Sequence, residues 1–510
     1  MLKNSFSETV KFNGWAIFIN SILICIGSLL CIVIVQYPNK VIFIVVSLSG
    51  IIIASSVIYS SFTNFIKLLI IWLPLQNIIG MVVYKITNIP EFVQPLLAWK
   101  EIFLIIGLAY VLLKRRRHYF FSIDYLYVFM CLYIMLYAIL PSGILGVDYT
   151  MNARILGFRA AILPFILYLF GRLSEISAIE FKKIIRTYIA AAVFVCMFGF
   201  IELLLPYEFW LDLGFVDFKE MVGVGIAPEG WTQDKKTFFY GHFGGHEIQR
   251  INSTFGSPLH VAFYLILPIF IIGTGLIFRT SITKKINGLI KDKFILMILI
   301  CGLILTIVRG PIIGLIATIL LAIAIYVKGT KKIYYYIVCL VVVSVFFFVF
   351  NNSIMQIVST TISLDDASAM GHFMAYENAI EVLPQHPFGF GLGQSGSVGK
   401  TYGSGESVGE SLFFTTTGDI GFPGLILLLL IIISSIVFLH RRFKLFFFKE
   451  NSFLKVMTFA LICSTIAYFI SSFNTEQWRG FTMSGLYWFL LGQIVRSHVL
   501  IDKGKNNVIT

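Results

Sequence analysis

Arginines at the ends of apolar segments are the first residues in this sequence that could do chemistry. An ionised side chain so close to hydrocarbon needs a specific reason. There are five such arginines: Arg154 and Arg159 begin one apolar run, Arg250 lies in EIQRINSTFGSP, Arg309 lies in IVRGP, and Arg479 lies in EQWRG. A guanidinium binds phosphate oxygens through a planar pair of donors and stays charged at physiological pH. The arginines therefore favour a lipid-linked diphosphate as ligand. The alternative for each arginine is that its side chain only extends to the phosphates of bilayer lipids and binds no substrate.

A long polar stretch raises a second candidate site. HPFGFGLGQSGSVGKTYGSGESVGESLFFTTTGDIGFPG, at 386–424, is rich in glycine and hydroxyl side chains and precedes an apolar run. His386 stands before a proline and is expected to be extended, while the glycines allow close backbone approach. His386 is interpreted as part of this turn, with contact to sugar or phosphate as the alternative. The stretch as a whole is typical of an active-site rim that admits a bulky substrate.

The sequence lacks the motifs of other phosphate-using proteins. It contains no P-loop, no dinucleotide-binding glycine pattern and no Asp-x-Asp pair. The seven cysteines lie inside apolar runs without metal-ligand spacing, so neither a disulfide framework nor a metal site is indicated. We therefore expect metal-independent use of a lipid-linked donor, without a cofactor.

The composition requires these residues to be positioned by membrane helices. Of the 510 residues, 58% are apolar and 13% are charged, and the mean hydropathy is +0.89. A chain of this kind needs the bilayer as its solvent. The net charge of +13 is concentrated in short clusters between apolar runs, a positive-inside pattern that argues against nucleic acid as a partner.

The hydropathy pattern predicts an all-α integral membrane protein of about fourteen spans. They are placed at 14–36, 41–60, 66–84, 96–113, 122–141, 155–171, 187–205, 256–278, 294–309, 311–327, 333–350, 420–440, 453–472 and 481–497. Most of the Lys and Arg residues fall on one side if the amino terminus lies inside, which predicts that both termini are cytoplasmic. The predicted regions are the helices of 1–205, a first external loop at 206–255, the helices of 256–350, a second external loop at 351–419, and the last helices and tail at 420–510.

Three stretches together resemble a known family. RINSTFGSP, VRGPIIGLIATILL, and HPFGFGLG followed by ESLFFTTTGDIGFPG are similar to motifs of the O-antigen ligase and polymerase superfamily, whose members make bacterial surface polysaccharides. The resemblance covers roughly residues 248–440. It implies a GT-C-like helical fold in the bacterial cytoplasmic (inner) membrane.

The resemblance also implies roles for particular residues. Glu410 and Ser411 stand where the ligases have a histidine thought to act as general base, and a carboxylate can take the same proton. The alternative for Glu410 is a solvated carboxylate near the start of a helix. Family members commonly carry an arginine near Gly371, where this sequence has His372. Glu410 in place of histidine argues against the ligase branch.

The predicted function is polymerisation of undecaprenyl-diphosphate-linked oligosaccharide repeat units on the outer face of the membrane. The product would be an O-antigen, capsule or exopolysaccharide. Glu410 would be the base and Arg250 and Arg309 would bind the diphosphate; the additional substrate contacts would be Arg154, Arg159, His372, His386 and Arg479. Membrane lipids and a chain-length regulator are the expected partners. The alternatives are ligation of polysaccharide to a lipid core and, from another class of protein, a flippase or exporter.

Overall fold

The computed structural model describes residues 38–114, 120–145, 150–222, 239–243, 246–282, 288–327, 367–402, 408–446 and 452–502, together with 329, 333 and 337. The predicted span at 14–36 lies outside the described residues, and so does nearly all of the span at 333–350. The same holds for much of both predicted external loops, at 223–238 and 351–366.

Helices make up nearly all of the described chain. The first ten are α1 (Pro38–Ser60), α2 (Phe62–Thr87), α3 (Pro90–Leu97), α4 (Trp99–Leu113), α5 (Ser122–Ile139), α6 (Ser142–Leu145), α7 (Met151–Leu173), α8 (Ala178–Glu202), α9 (Glu208–Asp212) and α10 (Phe215–Met221). Two short antiparallel strands follow, β1 (Tyr240–Phe243) and β2 (His246–Gln249). The remaining helices are α11 (Pro258–Ile277), α12 (Gly288–Leu305), α13 (Arg309–Tyr326), α14 (Ala367–Val382), α15 (Gly396–Tyr402), α16 (Leu412–Phe446), α17 (Ser452–Ser471) and α18 (Phe481–Asp502). Single 3₁₀ turns lie at Ser253–Phe255, Leu383–Gln385 and Gln477–Arg479.

Ten helical segments within the described ranges are long and apolar enough to cross a membrane. This confirms an all-α, multi-pass membrane protein, and every predicted span that falls on described residues is helical. The helices α12 and α18 are not among the ten. The first carries Lys291, Asp292 and Lys293 near its start, and the second carries Gln493 and Arg496 near its end. The total of fourteen spans and the GT-C-like arrangement stay predictions.

Small residues let the two central helices, α7 and α18, approach each other closely. A Cβ added to Gly171 would lie 2.0 Å from the carbonyl oxygen of Phe489, and one added to Gly492 would lie 2.2 Å from that of Tyr168. Gln493 also donates a hydrogen bond to the Ser174 carbonyl at 2.8 Å. Close backbone contact and interhelical hydrogen bonds of this kind hold helices together in lipid, where apolar burial gives little driving force.

Hydrogen bonds gather the loops at one end of the bundle, which we call the loop end. The Asn77 amide donates to the Phe255 carbonyl, which ties α2 to the segment before α11. The Ile251 backbone N–H donates to the Leu305 carbonyl at 3.1 Å, which ties the segment after β2 to the end of α12. At the opposite end, Asp124 is fully buried and accepts hydrogen bonds from Tyr168 and Arg172, so α5 and α7 are joined there.

Candidate active site

A glycine-rich loop at 386–396 packs into the loop end of the bundle. Gly389 and Gly393 have φ of 75° and 80°, where an L side chain is strained. A Cβ on Gly393 would lie 2.0 Å from the Ala153 carbonyl oxygen, and one on Gly389 would lie 2.7 Å from that of Gly418. The loop therefore lies directly against α7 and α16. The His386 ring packs against Phe390, with ring centroids 4.5 Å apart.

Asp419 fixes the far end of this loop. Its Oδ1 accepts hydrogen bonds from the backbone N–H groups of Gly393 and Ser395, both at 3.1 Å. Its Oδ2 contacts Nη1 of Arg479 at 3.3 Å. The carboxylate is 1% exposed, and a buried charge of this kind is stable only when it is paired and hydrogen-bonded.

Arg479 joins two carboxylates from different parts of the chain. It contacts Asp419 through Nη1 and Glu476 through Nη2. Burial opposes the charge, but the two carboxylates outweigh it and raise the pKa of Arg479 above its usual value. Glu476 in turn accepts hydrogen bonds from the backbone N–H and the hydroxyl of Ser397. We call Asp419, Glu476 and Arg479 the carboxylate–arginine network; it holds the glycine loop against α16 and the start of α18.

The helix α16 breaks where this loop meets it. Gly421 has φ 73° and ψ 177°, and Ile420 also departs from helical geometry. A Cβ on Gly421 would lie 2.6 Å from the Cα of Phe388. Tyr133 donates to the Ile420 carbonyl at 3.1 Å and Tyr137 to the Phe388 carbonyl at 2.8 Å. The Tyr133 hydroxyl satisfies a carbonyl at the break, and the Tyr137 hydroxyl satisfies one in the glycine loop, as non-helical backbone in a membrane protein requires.

A small cavity adjoins the network. Its wall includes Asp419 and Arg479 together with Thr416 and Trp488, and its other side is apolar. The paired charges of the network therefore border a small apolar space within the bundle.

Glu410 lies two residues before α16 and is partly exposed. Its Oε1 accepts from the Lys400 ammonium at 2.7 Å, and 36% of its side chain is accessible. The adjoining Leu412 N–H donates to the Ser472 carbonyl, which fixes the start of α16 to the end of α17. Glu410 therefore directly follows Gly409 and precedes α16, with one oxygen paired to a cation.

Arg250 and Arg309 lie on segments that are directly joined. Arg250 precedes Ile251, which is bonded to Leu305, and α12 leads after a three-residue turn to Arg309, the first residue of α13. Burial lowers the pKa of Arg250 from its usual value, whereas Arg309 is exposed.

The end of α17 links the start of α13, which carries Arg309, to the start of α16. The Gly310 carbonyl accepts from the Ser471 hydroxyl at 3.2 Å, and the neighbouring Ser472 carbonyl accepts from Leu412. The segments that carry Arg250, Arg309 and Glu410 thus form one hydrogen-bonded series.

The remaining candidate residues lie near this series or beyond the described side chains. Arg154 and Arg159 are on α7, beside Gly157, which contacts Gly393. Arg159 is half-exposed and lies 3.8 Å from a carboxylate oxygen of Glu101. His372 is on α14, and its side chain lies outside what the structure describes.

Three buried carboxylates beside the candidate site, Asp419, Glu476 and Glu202, were missed by the sequence reasoning. Asp419 is a charge within an apolar helix, two residues before Gly421, and that position alone could have marked it. Glu202 is buried at the end of α8 and accepts from the backbone N–H groups of Asn252 and Ser253, the latter at 2.6 Å. It shapes the RINSTFGSP turn that carries Arg250. In the described ranges, no group of three or more His, Cys, Asp or Glu residues could hold a metal ion.

The fold and site define a multi-pass helical membrane protein in which the candidate basic and acidic residues gather at one end around a glycine-rich loop. Residues 294–429 match the family model described as O-antigen ligase, which confirms the predicted resemblance to the O-antigen ligase and polymerase superfamily. The match includes Arg309, His386, Glu410 and Asp419, and it supports a role in O-antigen-type polysaccharide biosynthesis. Arg250 and Arg479 lie outside it. A search of curated proteins found no match.

Proposed function

We propose that this protein is a metal-independent glycosyltransferase that polymerises lipid-diphosphate-linked oligosaccharide repeat units. The observation that carries the proposal is the hydrogen-bonded series Ile251–Leu305, Ser471–Gly310 and Leu412–Ser472. It brings the two arginines suited to a diphosphate and the carboxylate suited to a base into one end of the bundle. Undecaprenyl diphosphate is the proposed carrier, and the outer face of the cytoplasmic membrane is the proposed location.

In this mechanism Glu410 takes the proton from an acceptor sugar hydroxyl. The hydroxyl oxygen attacks the anomeric carbon of the donor sugar as the bond from that carbon to the diphosphate oxygen breaks. Arg250 and Arg309 stabilise the charge that grows on the departing diphosphate. A single displacement of this kind inverts the anomeric configuration. Lys400 holds the Glu410 carboxylate through Oε1 and leaves Oε2 for the proton.

The carboxylate–arginine network has a positioning role in this proposal. Asp419 holds the backbone of the glycine loop through the N–H groups of Gly393 and Ser395, and Glu476 holds the N–H of Ser397 at the start of α15. The network therefore fixes the rim against which the sugar chain would pass. Its charges are already paired, so Arg479 acts through the loop.

Reconstitution tests the proposal most directly. Purified protein in liposomes should convert a synthetic lipid-linked repeat unit into a ladder of lipid-linked oligomers, releasing one carrier diphosphate per step. It should need no nucleotide sugar, ATP, added lipid core or divalent ion, so chelator should not slow it. Arg250→Ala and Glu410→Gln should each remove the ladder and leave single units unchanged.

Ligation is the second candidate, and the description of the matching family favours it. Consumption of the repeat unit only after a core glycolipid is added would replace the polymerase assignment with a ligase assignment. Movement of units across the bilayer without lengthening would contradict both and favour a flippase or exporter.

A further inference from the structure

A second group of basic side chains lies at the loop end, away from the glycine loop in sequence. Lys219 on α10 is 7% exposed, and its ammonium lies 5.2 Å from the Phe215 ring centre. Lys100 is on α4 and His260 is on α11. The His260 ring lies within electrostatic range of both ammonium groups. Lys100, Lys219 and His260 are called the basic cluster below.

Packing around the middle of α2 brings the cluster together. Lys100 Nζ donates to Oε1 of Gln76 at 3.3 Å. One turn later on α2, a Cβ on Gly80 would lie 3.0 Å from the Phe218 ring, so α10 rests directly on this turn. The Asn77 amide binds the Phe255 carbonyl, which brings the start of α11 to the same place. The two helices that carry the lysines, α4 and α10, and the turn that leads into α11 therefore all pack on one stretch of α2.

The positive charge of the cluster exceeds the negative charge described beside it. Lys219 has no ion pair with any described carboxylate. The nearest described carboxylate to Lys100 is Glu101 at 3.8 Å, and Arg159 contacts the same oxygen at 3.8 Å. The Nδ1 atom of His260 is buried and has no hydrogen-bond partner among the described residues.

An ammonium buried without a counter-charge costs stability. Desolvation lowers the pKa of Lys219 from 10.5 to about 8. A bound anion would offset that cost and would also accept a hydrogen bond from the N–H of the neutral His260 ring. A ligand that meets all three side chains needs several acceptor oxygens, as a phosphate group has.

We propose that Lys100, Lys219 and His260 bind the phosphate groups of a second lipid-linked substrate molecule. The inference rests on the proposed polymerase function, in which the donor and the acceptor each carry a diphosphate. Arg250 and Arg309 bind the leaving diphosphate of the donor, whereas the basic cluster holds the diphosphate of the acceptor, whose bonds stay intact. A ligase, whose acceptor is a core glycolipid, would not need this second diphosphate site.

The test is a count of bound isoprenoid diphosphate, made without any turnover. Farnesyl diphosphate is titrated into the full-length protein, purified in detergent without phospholipid, by isothermal titration calorimetry. The wild type should bind two molecules per chain. Lys219→Met keeps the side-chain length but removes the charge, and it should bind one molecule, with the other weakened at least about tenfold. Arg250→Ala should also bind one molecule, at the site that depends on Lys219. Lys67→Met is the matched control and should bind two molecules. Lys67 is on α2, and its partner among the described residues is Asn64, near the helix start.

Thermal unfolding separates misfolding from lost binding. Lys219→Met should melt at or above the wild-type temperature without ligand, because it removes a buried charge that has no ion pair with a described carboxylate. It should show a smaller rise in melting temperature with farnesyl diphosphate.

Two results would overturn the inference. The first is that Lys219→Met binds two molecules of farnesyl diphosphate with unchanged affinity. The second is that binding of phosphatidylglycerol in nanodiscs depends on Lys219 as strongly as binding of farnesyl diphosphate does, which would assign the site to bilayer lipid. Failure of the proposed function gives a different pattern. Both diphosphates would then bind, with one lost in Lys219→Met, while the reconstituted wild type forms no ladder.

Discussion

At the scale of the residue, Glu410 combines access to substrate with a fixed position. Its neighbours Ser411 and Leu412 bond to the Ser472 carbonyl, and Lys400 holds one of its oxygens. A general base must reach the proton it removes, and geometry decides this before acidity does. Partial exposure with one oxygen paired meets that requirement.

Replacing Glu410 by Gln is expected to reduce polymerisation by a factor of about 10² to 10⁴, the usual contribution of a general base. The shape is kept and the proton-accepting charge is lost, so expression and melting temperature should match the wild type. The measurement is oligomer formation per unit time from a lipid-linked repeat unit. Glu381→Gln, an exposed carboxylate on α14, is the control and should stay active. Long glycan at the wild-type rate from Glu410→Gln would remove this residue from the mechanism.

For Arg309, we expect Arg309→Lys to be nearly as damaging as Arg309→Ala, with both losing about 10²-fold or more in rate. An ammonium keeps the charge but loses the two parallel donors that fit a diphosphate. Initial rates in liposomes measure this, with Arg441→Lys, an exposed residue on α16, as the neutral control. An active Lys variant would indicate that Arg309 only snorkels to lipid.

At the scale of the element, the break in α16 determines where the glycine loop can sit. Gly421 lies in a backbone region that is almost confined to glycine, at φ 73° and ψ 177°. Because Gly421 has no side chain, the backbone of Phe388 can pack directly against it. The break and the loop therefore depend on each other.

Gly421→Ala should lower the free energy of unfolding by at least about 1–3 kcal/mol, because the alanine must adopt a strained backbone and its Cβ collides with the loop. Melting in detergent measures this, and polymerisation should fall as the loop shifts. Gly371→Ala is the matched control, since Gly371 is exposed on α14 with no atom within 4 Å of the added Cβ. There alanine should be neutral or stabilise by up to about 1 kcal/mol. Equal melting temperatures for the two variants would contradict the proposed coupling between the break and the loop.

At the scale of the whole molecule, the loop end gathers every described candidate residue, and the distribution of Lys and Arg predicts that it faces outward. Cysteine labelling from outside the cell tests this orientation. In a protein whose seven natural cysteines are replaced, Gln385→Cys should react with a membrane-impermeant maleimide in intact cells. Arg441→Cys should react only after permeabilisation. Both positions are exposed, so accessibility within the protein does not separate them. The reverse pattern would place the candidate site in the cytoplasm and exclude assembly on the outer face.

The sequence by itself determined the class of the protein and the order of its motifs. Apolar runs long enough for a bilayer have few alternatives to helices, since every backbone group must be satisfied internally, and the described spans followed that expectation. Arg309 before an apolar run and the glycines after His386 were visible because charge and glycine stand out in such a chain. The match over residues 294–429 shows that these motifs carried real family information.

Only the tertiary structure decided which charges work together. Asp419, Glu476 and Arg479 are separated by up to 60 residues and meet because α16 breaks at Gly421 beside the loop before α18. Lys100, Lys219 and His260 come from three helices, and α4, α10 and the turn before α11 pack on one stretch of α2, a meeting that no local pattern encodes. Hydropathy specifies that a helix is buried in the membrane. The partners of a buried charge depend on packing between distant helices, and that is settled only when the whole bundle assembles.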